Sequence, residues 1–89
     1  MRTFHLQIIS PEGSLFEGEA GHISAPGLLG SFGILVDHEP FCTALTKGSV
    51  SINCGGNGSP EKKFLITGGI FHFDKNKAIL LADEASLCE

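Results

Sequence analysis

Asp37, His38 and Glu39 stand together in "FGILVDHEPF", two carboxylates around an imidazole, with Cys42 four residues after the histidine. Side chains of these types act as general acids and bases and ligate zinc. Their spacing argues against both uses. Adjacent residues on a strand point to opposite faces, and in a turn they splay, so Asp37 and Glu39 have difficulty converging on one ion with His38 between them. His38 and Cys42 are placed to share a strand face, yet a structural zinc would still lack two ligands at a recognisable spacing. Nothing nearby supplies the electropositive surroundings that favour a reactive thiolate at Cys42. His5, His22 and His72 stand singly in alternating segments, and no serine sits on a strand-to-helix elbow with an acid partner. What remains is a shaped turn. Pro40 fixes its own φ and keeps Glu39 extended, so the tip is stiff, and a stiff tip loses little conformational entropy on binding. A solvated loop is the plain alternative. A small independent enzyme or ligand-binding module built on Asp37, His38 and Glu39 is the other.

The elements around this turn are strands. In "FHLQIIS", Phe4, Leu6 and Ile8 alternate with His5 and Gln7, which predicts one buried face, and "PEGS" ends the run. "VSINC" alternates in the same way, with Val50, Ile52 and Cys54 inward. "GGNGSP" (55–60) reads as a hairpin tip; it lacks the Gly-Lys-Ser/Thr ending and the Gly-x-Gly-x-x-Gly spacing of a phosphate loop. "KKFLITGGIFHF" and "KAILLADEA" are two further strands joined at Asp74–Asn76, and Gly68 with Gly69 marks a bulge, a sharp twist or a close backbone approach. Only "LADEASLCE" has any helical reading. Many short strands with frequent turn signals predict an all-β fold, a sandwich or partly closed barrel, in a single domain over residues 1–89.

Composition narrows the function. A chain of 89 residues is one domain, and a deep pocket would consume core volume that it can hardly spare. The net charge of −4 repels phosphate backbones, so nucleic acid is a poor partner. No segment is long and apolar enough to insert into a membrane, and the first residues lack the features of an export signal. Three cysteines with no paired spacing read as free thiols, Cys42 and Cys54 acting as small apolar residues. No cofactor or metal is expected.

The ordered set Gly30-x-Phe32-Gly33-Ile34-Leu35, His38-x-Pro40, Thr43-Ala44-Leu45, Lys47, then Gly68-Gly69 and "LADEA" resembles the amino-terminal domain of the epsilon subunit of F-type ATP synthase. The resemblance covers nearly the whole chain. It implies a flattened β-sandwich of about ten short strands, a non-catalytic rotor part that docks the gamma subunit onto the polar loops of the c ring and passes proton-driven rotation to the catalytic sites. By resemblance, Ser10, His38 and Thr43 face gamma, while the Ser31–Phe32 loop faces the c ring. It further implies a peripheral location on the cytoplasmic face of a bacterial inner membrane, or on a thylakoid if the copy is plastid-encoded.

Three departures carry expectations of their own. Ser31 replaces the acidic residue common in the family, so a hydrogen bond would stand where a charged contact is usual. Val36 replaces the family's usual proline two residues before the histidine and alters the loop's shape. The family's two-helix hairpin does not follow "LADEA" here, which implies neither ATP binding nor inhibition by an extended hairpin.

Overall fold

The computed structural model describes residues 3–53 and 61–88. Ten strands follow one another: β1 (Phe4–Ser10), β2 (Gly13–Ala20), β3 (His22–Gly27), β4 (Gly30–Leu35), β5 (Phe41–Leu45), β6 (Gly48–Asn53), β7 (Glu61–Ile66), β8 (Gly69–Asp74), β9 (Lys77–Ala82) and β10 (Ala85–Cys88). They form two five-stranded halves. One runs β4-β3-β6-β7-β10 and the other β5-β8-β9-β1-β2. A single pairing, Gly27 with Leu45, joins them. Two backbone bonds brace this corner, from Leu28 N–H to Ala44 O and from Thr46 N–H to Pro26 O, both 2.9 Å. The sheet thus folds over on itself, which is the β-sandwich the sequence predicts.

Alternation builds the core between the halves. Phe4, Leu6 and Ile8 of β1 are buried as their period requires, and so are Val50 and Ile52 of β6. Phe71 and Phe73 of β8 and Ala78, Leu80 and Ala82 of β9 complete the same face, and the buried side chains make one cluster. Phe4 meets Phe73 edge to face, centroids 5.5 Å apart, the arrangement that aromatic quadrupoles favour. Among the described residues all pairings are antiparallel except one, in which β1 runs parallel to β9.

Gly68-Gly69 proves to be a close backbone approach. Gly69 has φ +152°, and a Cβ there would lie 2.0 Å from the carbonyl oxygen of Leu81, so only glycine lets β8 start beside the end of β9.

The one segment open to a helical reading, "LADEASLCE", is extended, as the all-β fold requires: Ala85–Cys88 is β10, which adds antiparallel to β7 because that strand would otherwise present unpaired N–H and C=O groups. Two expectations change. Ser31 and Phe32 lie on β4 and not in a loop; the tip of the β3–β4 hairpin is Leu28–Leu29. Cys42 is exposed on the outer face of β5, so it does not act as a small core residue. Residues 54–60, with Cys54 and the glycine-rich hairpin tip, lie outside the described residues, although β6 and β7 on either side pair as a hairpin would require.

Candidate functional site

The Asp37-His38-Glu39 turn follows β4. A backbone bond from His38 N–H to Leu35 O, 3.2 Å, closes it, and Asp37 sits at its inner corner with φ 66°. Left-handed backbone costs a residue with a side chain about 1–2 kcal/mol, less for Asp and Asn, whose short polar groups bond locally. Here Asp37 bonds to a distant partner. Its N–H donates to Oδ1 of Asn76 at 2.7 Å, and Nδ2 of Asn76 donates back to Oδ1 of Asp37 at 2.9 Å. Two such bonds, each contributing about 0.5–1.5 kcal/mol net, offset the backbone cost.

Asn76 is itself constrained. Lys75 and Asn76 have φ 50° and 58°, the pair of positive values that a two-residue β8–β9 hairpin demands, and Asn76 O accepts from His5 N–H at 3.0 Å. The β4–β5 loop is therefore tied through Asn76 to the body of the second half-sheet.

His38 is exposed, and its ring stands nearly perpendicular to two phenylalanines: Phe41 at 5.8 Å and Phe73 at 6.0 Å between centroids. Nδ1 donates to the carbonyl oxygen of Glu39 at 2.7 Å, which leaves Nε2 as the acceptor of the neutral ring. The carboxylates do not gather around this imidazole. Asp37 turns to Asn76, and among the described residues no three His, Cys, Asp or Glu side chains are placed to hold a metal ion. Cys42 lies on a strand and His38 in the preceding loop, so the shared strand face expected of them does not form.

The other predicted site residues scatter. Ser10, only 7% exposed, serves the β1–β2 turn: its Oγ donates to Gly13 O at 3.4 Å and accepts from Glu12 N–H at 3.3 Å. Thr43 is half-buried and pairs with the buried Phe71 across β5 and β8. His38 and Ser10 lie towards opposite ends of their half-sheet, so they do not share one small patch. Ser31 is exposed beside the hairpin tip. Phe32 is half-buried and packs on Phe41 and Phe71, with centroids 5.0 and 5.2 Å away, so its ring supports the core. His5 lies between Glu17 and Glu19 at 3.6 and 3.5 Å on the outer face, His22 is half-buried, and His72 is exposed.

Two features were not foreseen. One is Asn76, whose partner is fixed only by sheet register. The other is the tip Leu28–Leu29, 65% and 98% exposed; "PGLLG" held the signal, since flanking Pro and Gly force a turn whatever lies between.

Ten short strands folded over one buried cluster define a small β-sandwich domain. Residues 3–87 match the family described as "ATP synthase, Delta/Epsilon chain, beta-sandwich domain", and the chain belongs to that family. It is 40% identical over 85 residues to the ATP synthase epsilon chain of Chlorobaculum tepidum, covering 96% of this chain and 94% of that one. It is 35% identical over 86 residues to the ATP synthase epsilon chain of Bradyrhizobium sp. (strain BTAi1 / ATCC BAA-1182), spanning 97% of this chain and 62% of that one. The chain thus covers less than two thirds of the length of several of its relatives. Among solved structures, a chain of the Euglena gracilis mitochondrial ATP synthase (OSCP/F1/c-ring, rotational state 1) superposes with TM-score 0.86 at 18% identity, over 96% of this chain and 53% of that one. One from the Tetrahymena thermophila mitochondrial ATP synthase central stalk and c ring gives 0.78 at 16% identity, over 96% and 66%. At those identities the likeness is one of fold.

Proposed function

We propose that this chain is a non-catalytic central-stalk subunit of an F-type ATP synthase, seated between the gamma subunit and the c ring so that ring rotation reaches the catalytic subunits. The family match over residues 3–87 carries the reading, and near end-to-end similarity to the Chlorobaculum tepidum epsilon chain supports it. A rotor part needs a body that does not deform and surfaces that fit two neighbours. The single core cluster supplies the first, and the two tips at either end of β4 supply candidates for the second. In this reading His38 and Thr43 meet gamma, Ser10 acts through the turn it shapes, and Ser31 meets the c ring with Phe32 holding its strand against the core. The subunit then lies peripherally on the cytoplasmic face of the membrane; no helix among the described residues is long and apolar enough to cross one.

The test is association with gamma. In a background with the three native cysteines replaced by serine, His38→Cys and Thr43→Cys are each expected to crosslink to a purified gamma subunit carrying scanned cysteines, and the unsubstituted chain to co-purify with gamma. Absence of any association across ionic strengths would sink the reading.

A further inference from the structure

Asp37 and Asn76 are far apart in sequence, yet they exchange two hydrogen bonds that use both ends of the Asn76 amide and both the N–H and the carboxylate of Asp37. Both residues hold left-handed backbone, φ 66° and 58°, so each already occupies the narrow geometry that lets its polar groups face the other. Asn76 is anchored in turn by the bond from His5 N–H. The next residue after Asp37 is His38. From the other side its ring is limited by Phe41 and Phe73, and Nδ1 is held by the carbonyl of Glu39. An exposed imidazole is thereby fixed from both directions with Nε2 left as its acceptor.

We infer that Asp37 and Asn76 are a positioning pair that aims the His38 ring at the partner surface; the partner half of this inference rests on the stalk reading above. The two bonds are largely spent on offsetting the left-handed backbone of Asp37, so their remaining effect is on geometry, which sets how much freedom the tip loses on docking.

The experiment uses glycine to keep the turns, since glycine accepts positive φ, while Asn76→Gly removes both bonds and Asp37→Gly removes the one to the carboxylate. In the full chain, Asn76→Gly and Asp37→Gly are compared with Asp37→Asn, which retains the acceptor oxygen that Asn76 Nδ2 uses. Histidine ring-proton NMR signals and affinity for purified gamma are measured. We expect both glycine variants to shift the His38 ring signals towards those of an unconstrained histidine, to leave the exposed His72 unmoved, and to weaken gamma binding about fivefold to tenfold, the equivalent of one or two lost hydrogen bonds. Asp37→Asn is expected to restore both readouts. Unchanged His38 signals in Asn76→Gly, or an Asp37→Asn protein as impaired as Asp37→Gly, would overturn the pair. Shifted signals with unchanged affinity would overturn its role in docking. If the unsubstituted chain does not bind gamma, the stalk reading fails, and the ring signals alone decide whether the pair positions His38.

Discussion

The two segments flanking β4 leave the same strand at opposite ends and are held in opposite ways. At the carboxyl end, the His38 turn is bonded to Asn76 and backed by Phe41 and Phe73. At the amino end, Leu28 and Leu29 project from the β3–β4 hairpin, and the attachment nearest them is the backbone bond from Leu28 N–H to Ala44 O. One tip is fixed by side chains and polar at its surface. The other is shaped by backbone alone and apolar. The contrast teaches that a small sandwich can carry one tip held by side-chain bonds and one held by backbone alone on a single strand.

Substitutions can break this contrast, the strongest at the aromatic floor. Phe73 is fully buried and also backs His38, so Phe73→Ala is expected to destabilise the fold by about 3–5 kcal/mol through the cavity it leaves. Chemical denaturation would measure that loss, and a cost below about 1 kcal/mol would mean that the aromatic cluster is not the floor described. Gly30→Ala attacks the other tip through its backbone. Nothing lies within 4 Å of the added Cβ, but φ is +135°, so the expected cost is the conformational one alone, roughly 1–3 kcal/mol. A thermal midpoint equal to that of the parent would contradict the turn geometry. Leu29→Ser should do least: at 98% exposure the side chain contributes nothing to the core, and stability should stay within about 0.5 kcal/mol. A larger drop in denaturant midpoint would show the leucine tip to be part of the fold.

The buried framework was legible in the sequence wherever a strand has one wet face. Phe4, Leu6, Ile8, Val50 and Ile52 alternate because a pleated strand has period two, and each is buried. Gly68-Gly69 was legible as a backbone peculiarity because missing side chains in an apolar run need a steric reason, here the Leu81 carbonyl. The last strand was not. "LADEASLCE" has no strict alternation, and what makes Ala85–Cys88 extended is the open edge of β7, a tertiary offer that local sequence does not reveal. The site divided in the same way. His38 stood out as a polar residue close before a proline, whereas its tie to Asn76 depends on the β5–β8–β9 register, and Ser31 was read as a loop residue by resemblance although the Pro and Gly around Leu28 and Leu29 mark the true corner.

The one parallel ladder also governs how the molecule is made. β1 emerges early in synthesis, but its neighbour β9 arrives only after seven other strands have been threaded out, and their union must close a loop spanning most of the protein. Hairpins such as β8–β9 can zip locally within microseconds, while that distant closure sets a slower, millisecond-to-second clock for completing the fold. Until then the greasy side of β1 has no lasting cover, so newly made chains are the form most exposed to aggregation.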